Sequence, residues 1–237
     1  DLANNLDRTI FRASIFCLKD NGGLRQKVSE DVKVHVLNKK SGNQFNIPLK
    51  LFKLLRKEKV DIVHSNNWGT QGETVIAGKL ACKKVVHTQH GLEKGDDEET
   101  LNRQVFRNRA RRFFSTFTDQ IIAVSEATRS FIFEDWKLRN DKVSMIYDGV
   151  DQIAVDSEVR CEIRKELAIE PDAMVIGSVG RLMPVKNYQG LIQAFADLQN
   201  IGPKAKLLLV GDGSEREHLE EKVSQFGLPF FGPGIRC

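Results

Sequence analysis

Two doubly wound parallel α/β sheets, the second incomplete, are the architecture that this 237-residue chain predicts. Short apolar runs alternate with stretches of helical period along most of the length, which is the pattern of βαβ units. The alternation stops once, over a polar and charged stretch at residues 151–172, and then resumes. At 41% hydrophobic and 29% charged, the composition is that of a soluble globular protein with enough apolar material for two modest cores. The expected division is a first domain over residues 1–160 and a second over 161–237.

The elements follow in order. Strands are expected at 9–18, 32–37, 60–65, 84–88, 120–125 and 143–147, each a short run of β-branched or aromatic residues such as Val32, Val34 and Val36 or Ile121 and Ile122. Between them helices are expected at 48–56, 70–81, 100–117 and 126–137. Leu51, Leu54 and Leu55 show the three- and four-residue spacing of a buried face. Ser125 is placed to cap the helix after it. A helical patch at 159–167 lies in the join. The second series is strand 173–179, helix 188–199, strand 205–210, helix 214–226 and strand 229–231. Ser214 and Glu217 have capping-box spacing before Leu219 and Val223.

Charge and cysteine content narrow the function classes. A net charge of +4 without any basic stripe interleaved with aromatics argues against nucleic acid and suits anionic metabolites or a membrane surface. Cys17, Cys82, Cys161 and Cys237 are far apart, sit mostly in apolar contexts and read as reduced core or incidental thiols, which favours the cytoplasm. No apolar run approaches the ~18 residues of a membrane helix, and no signal peptide opens the sequence. The chain starts without Met, and its last expected strand runs almost into Cys237, so it reads as a fragment.

The most informative stretch is residues 175–188, which reads as strand, glycine turn, two cations and helix. Gly177 and Gly180 permit close backbone approach, and Arg181 and Lys186 flank the turn. Asn187 is an expected N-cap for a helix carrying Tyr188, Leu191, Ile192 and Phe195 at helical spacing. Its free amides and positive dipole end favour a diphosphate. A second strand-to-helix glycine turn, Gly211-Asp212-Gly213, lies one crossover later. Both turns belong at the carboxyl edge of one sheet, where ligands bind.

In the first series, polar groups follow two strands: His64 to Trp68, and His87 to Gly91. His90 beside Gly91 is placed to hydrogen-bond a sugar hydroxyl, whereas His64 and His87 read as buried and satisfied. The histidines lack zinc-type spacing, so no metal is expected. Asp148 to Asp151 reads as a structural turn. Residues 107–112 form a basic helix segment with Arg107, Arg109, Arg111 and Arg112 among Phe106, Phe113, Phe114 and Phe117. Its bland reading is a solvated face, and its sharper one is peripheral attachment to anionic lipid.

The ordered set Val63-His64, His87 to Gly91, Ile122 to Ser125, Tyr147 to Asp151, Gly177 to Leu182 with Lys186-Asn187, and Leu209 to Gly213 resembles retaining glycosyltransferases of family 4. The resemblance covers essentially the whole chain. It implies a GT-B fold of two Rossmann-like domains with the active site in a cleft between them, the first acceptor-side and the second nucleotide-sugar-binding. The implied activity is transfer of a hexose from a UDP- or GDP-sugar to a polysaccharide or lipid-linked acceptor with retention and without a required metal. Arg181 and Lys186 would bind the donor diphosphate, His90 the transferred sugar, and Gly180, Asn187, Gly211, Asp212 and Gly213 would line the nucleotide side.

The stretches at 37–43 and 67–70 resemble a bacterial subgroup of exopolysaccharide assembly. Asp148 stands where the family usually has Asn, and Asn66 where a second His is frequent. The family's acceptor-side glycine loop and its paired glutamates would lie before residue 1 and beyond residue 237, so this piece is not expected to complete the reaction alone. Two alternatives stay open at this point: an epimerase of nucleotide sugars on the same fold, and a non-catalytic nucleotide-binding module. A dinucleotide oxidoreductase fits less well, since neither turn matches G-x-G-x-x-G.

Overall fold

The computed structural model describes residues 2–20, 22–40, 44–91, 98–138, 140–150, 152, 154–201 and 205–229. The chain divides into two compact units, Asp1–Val150 and Asp151–Cys237. A cut at 160/161 would pass through a helix, Ser157–Glu166, that lies wholly in the second unit.

In the first unit α1 (Leu2–Asn5) precedes a two-stranded parallel sheet of β1 (Ser14–Cys17) and β2 (Lys33–Val36). Then come α2 (Asn46–Lys57), β3 (Ile62–Asn66), α3 (Trp68–Leu80), β4 (Lys84–Gln89), α4 (Glu98–Thr116), β5 (Gln120–Ala123), α5 (Glu126–Trp136) and β6 (Val143–Met145). Strands β3, β4, β5 and β6 pair in that order, all parallel. Helices cover the sheet because its strands are apolar: Val63, Val85, Ile121 and Ala123 are buried against α2, α3 and α5 through Leu51, Leu55, Val75, Ile132 and Trp136. Every strand in this sheet runs the same way, so all carboxyl ends lie along one edge.

The second unit holds α6 (Ser157–Glu166), β7 (Met174–Val179), α7 (Tyr188–Ile201), β8 (Ala205–Val210) and α8 (Arg216–Gln225). β7 and β8 are parallel, with Met174 opposite Ala205 and Val179 opposite Val210. Tyr188, Ile192 and Phe195 of α7 and Leu219 and Val223 of α8 pack on Leu207 and Leu209.

The helical and strand segments agree with the sequence pattern, and the ends differ for local reasons. The first strand is four residues long because Asp7 draws the chain into a turn. Its main-chain oxygen accepts from Ile10 and Phe11, and its carboxylate accepts from Thr9 N at 2.8 Å. Ser125 does cap α5, its Oγ accepting from Thr128 N at 3.1 Å. The Ser214–Glu217 capping box does not form. Leu182 O accepts from Glu215 N at 3.0 Å, holding 214–215 as a turn, and α8 starts only at Arg216. Pro229 is not in a strand, and the rest of the expected last strand, like Cys237, lies outside the described residues. Cys82 and Cys161 are free, exposed thiols and so incidental rather than core, and Cys17 is a half-buried free thiol.

Candidate functional site

The strand-to-helix turns of the second unit are bonded into one piece. Gly180 N donates to Val210 O (2.9 Å), which carries the β7–β8 ladder one residue beyond the strands, and Leu182 N then donates to Asp212 O (3.0 Å). This approach requires glycine on one side. A Cβ on Gly211, whose φ is +152°, would lie 1.9 Å from Gly180 O, and one on Gly213 would lie 2.3 Å from Leu182 O. Packing of turn on turn therefore accounts for both glycines. Gly180 is hemmed by the Tyr188 hydroxyl, 2.8 Å from where its Cβ would sit, whereas Gly177 faces open space and needs no such explanation.

After the turn, Pro184–Lys186 makes one 3-10 turn, and Asn187 adopts a left-handed backbone (φ 50°) before α7 begins. Its side chain still caps the helix, Oδ1 accepting from Gly190 N at 3.3 Å. Arg181 and Lys186 are both exposed, and neither side chain makes a hydrogen bond or ion pair among the described residues. Asp212 behaves differently. Its carboxylate accepts from Gly213 N (2.9 Å) and from Arg216 Nη1 (3.4 Å). Arg216 also bonds Glu220 at 3.1 Å, and that bond, followed by Asp212, raises its already high pKa. The cations left open to a ligand are thus Arg181 and Lys186. A nearby hollow of about 180 Å³, lined by Met183, Asn187, Tyr188 and Glu215 among others, includes neither of them and is smaller than the ~300 Å³ of an ordinary ligand pocket.

In the first unit, three strand ends meet at His90, one residue past β4. Its ring lies between Asn66 Oδ1, 3.1 Å from Nε2, and Asp148 Oδ2, 3.4 Å from Nδ1. Its main-chain N–H donates to Asn67 Oδ1 (3.3 Å), and Asn67 N donates to Thr88 O (3.0 Å), so that Asn67 at a left-handed φ of 59° ties β3 to β4. Asp148 had read as part of a structural turn. Its carboxylate instead belongs to the His90 cluster, and Asn66 and Asn67, which the motif reading left without a role, are the other members.

His87 is fully buried, with Nδ1 2.8 Å from Ser65 Oγ and the ring tilted against Trp136 at 6.2 Å. Burial pushes its pKa down to about 4, so it is neutral and structural. His64 is only partly shielded, contrary to the buried expectation. Its Nε2 meets Thr88 Oγ1 at 2.7 Å, and desolvation and then the neighbouring His90 lower its pKa.

The basic helix needs one correction. Arg111 is fully buried, with its guanidinium over the Trp136 ring at 5.7 Å and bonded to Asn108 at 3.2 Å, so it is no part of a basic face. Arg107, Arg109 and Arg112 are exposed, as are Phe106, Phe113 and Phe117 at 72%, 59% and 49%. Among the described residues no group of His, Cys, Asp and Glu is arranged to hold a metal, and no helix is long and apolar enough to cross a membrane.

The family model Glycosyltransferase Family 4 matches residues 1–152, more than half of the chain, and Glycosyl transferases group 1 matches residues 159–229. The chain belongs to glycosyltransferase family 4. A galactosyltransferase of Escherichia coli, UDP-Gal:alpha-D-GlcNAc-diphosphoundecaprenol alpha-1,3-galactosyltransferase, is 28% identical over 174 residues, 70% of this chain and 44% of that protein. An uncharacterized glycosyltransferase of Methanocaldococcus jannaschii is 26% identical over 187 residues, 74% of this chain and 46% of its own length. The chain thus spans less than half the length of these curated relatives.

Among solved structures, HepE of Anabaena in complex with UDP-glucose superposes with a TM-score of 0.74 at 21% identity, covering 92% of this chain and 59% of that one. The sucrose-phosphate synthase of Thermosynechococcus elongatus gives 0.71 at 17% identity, covering 99% and 63%. These likenesses establish the fold of this family 4 chain as GT-B, with parallel α/β units.

Proposed function

We propose that the whole protein transfers a hexose from a UDP- or GDP-sugar to a polysaccharide or lipid-linked acceptor with retention of configuration, as in bacterial exopolysaccharide assembly. In this reading the second unit binds the nucleotide sugar and the first faces the acceptor. The observation that carries it is the pair Arg181 and Lys186: two exposed cations without a side-chain partner among the described residues, at and just after a glycine turn that is hydrogen-bonded to a second turn. Such a site accepts a diphosphate, and the UDP-sugar named for the Escherichia coli relative and the UDP-glucose bound to HepE are donors of that class. The relative's diphosphoundecaprenol substrate supports a lipid-linked acceptor. The exposed Phe106, Phe113 and Phe117 beside Arg107, Arg109 and Arg112 support peripheral contact with the membrane that carries it.

The bond from the sugar C1 to the diphosphate oxygen breaks while the acceptor hydroxyl oxygen bonds C1 on the same face. The acceptor proton passes to the departing diphosphate. Negative charge grows on that diphosphate as it leaves, and Arg181 and Lys186 stabilise it more strongly in the transition state than in the bound donor. His90 holds a hydroxyl of the transferred sugar. No metal is needed for this charge balance.

The test is transfer of labelled hexose by the whole protein from UDP- and GDP-sugars to a diphosphoundecaprenol-linked sugar, with the product anomer read by NMR. Arg181→Ala and Lys186→Ala should each lower kcat by about 100-fold, the scale of losing one charge-stabilising donor. Near-normal turnover in both variants, or an inverted product, overturns the proposal. Donor incubated without acceptor that yields an altered sugar would instead mark an epimerase.

A further inference from the structure

The carboxylate next to His90 comes from a distant segment, past the end of β6. β4 and β6 both pair with β5, so their ends are two strand spacings apart, about 10 Å. Asp148, past the end of β6, crosses that interval to place Oδ2 3.4 Å from His90 Nδ1. On the other side Asn66, the last residue of β3, reaches Nε2 at 3.1 Å. The ring is therefore held from both sides, by the last residue of β3 and by a residue past β6, while His90 itself sits on neither a strand nor a helix.

An ionised carboxylate accepts hydrogen bonds and cannot donate them, so a ring nitrogen facing it must carry the proton. A free neutral imidazole keeps its proton mainly on Nε2, and the partner of one ring nitrogen decides the state of the other. Asn66 adapts to either state of Nε2, because its amide presents oxygen or, turned over, NH2. Asp148 does not adapt.

We propose that Asp148 is a positioning residue of this site: its carboxylate keeps a proton on Nδ1 of His90, so that Nε2, flanked by Asn66, is the nitrogen offered to a hydroxyl of the transferred sugar. The sugar role rests on the glycosyl-transfer reading above, whereas the Asp148–His90 pairing stands on geometry within the first unit. An Asn at position 148 can accept from Nδ1–H through its amide oxygen but can also turn and donate. Asp removes that second option and fixes one tautomer.

The test is a long-range proton–nitrogen spectrum of the histidine rings, recorded above their titration range on the whole protein. His90→Gln identifies the His90 signals among those of the five histidines. The wild type should show His90 protonated on Nδ1, and Asp148→Ala should move most of that proton to Nε2 while the other histidines stay put. In the transfer assay Asp148→Ala should lower kcat by about 10-fold or more with KM little changed, as when a histidine loses the group that orients it, and Asp148→Asn should restore most of the loss. A wild-type ring protonated on Nε2 overturns the pairing, and unchanged turnover in Asp148→Ala overturns the positioning role. If the wild type transfers no sugar at all, the glycosyl-transfer reading fails, and the tautomer still decides the pairing.

Discussion

His87 makes the first unit sensitive to acid, and the size of the effect follows from its surroundings. The ring is fully buried between β3 and α5, bonded to Ser65 and tilted against Trp136. Its pKa is about 4 in the fold against 6.5 when exposed. As pH falls the unfolded chain takes up the proton first, so the stability from the neutral ring is whole above 6.5 and is lost on the way down to about 4. The linkage relation gives about 2 kcal/mol lost between pH 7 and pH 5 and about 3 kcal/mol by pH 4.

Replacing His87 by Gln removes that titration. His64, whose pKa is also lowered, is present in both proteins and drops out of the difference. So does Asp119, which desolvation would raise but which bonds from Lys79 and Val85 N hold at about 2, so that it loses its contribution only below the window used. Urea unfolding followed by tryptophan fluorescence is the assay, because both tryptophans, Trp68 and Trp136, lie in the first unit. The wild-type advantage over His87→Gln should shrink by about 2 kcal/mol between pH 7 and pH 5. A constant advantage across that range would mean that water reaches the ring, and would refute the burial argument.

Four further outcomes are expected. Gly211→Ala should destabilise the second unit by about 3 kcal/mol or more, since its Cβ forces apart two turns joined by the Gly180–Val210 and Leu182–Asp212 bonds. Gly177→Ala, facing open space, should change stability by less than about 1 kcal/mol. Calorimetry on the two variants checks both, and equal melting shifts would contradict the packing account. Sedimentation with phosphatidylglycerol vesicles should show about 100-fold weaker binding when Arg107, Arg109 and Arg112 all become Gln, at about 1 kcal/mol per charge near an anionic surface. Arg111→Gln should instead lower the stability of the first unit. Vesicle binding unchanged by the triple substitution would remove the membrane from the proposal.

The second unit was legible in the sequence because its site is local. Strand, glycine turn, cation pair and helix follow one another within residues 175–188, and each step has a short-range cause that a linear reading can see. Even Asn187, whose backbone is left-handed, caps the helix as its side chain predicts. The first unit was legible only as elements. Asn66, His90 and Asp148 meet because β3, β4 and β6 occupy set places in one sheet, and strand order is not written in any of the three segments.

Helix α4 shows the same limit in another form. Its basic residues share a stretch of sequence, yet Asn108, Arg111 and Ser115, at three- and four-residue spacing, form a polar stripe turned inward. Phe106, Phe113 and Phe117 stay exposed. Periodicity reveals that a helix has two faces, but which face turns inward depends on what its neighbours offer. Here α3 offers the Gln71 amide, which donates to Ser115, and α5 offers the Trp136 ring, which lies under the Arg111 guanidinium. Those two contacts draw the polar stripe inward and leave the phenylalanines outside, so the apolar surface beside the exposed arginines is a consequence of packing in the first unit. A reading of charge and hydrophobicity along the chain could not have separated Arg111 from its neighbours.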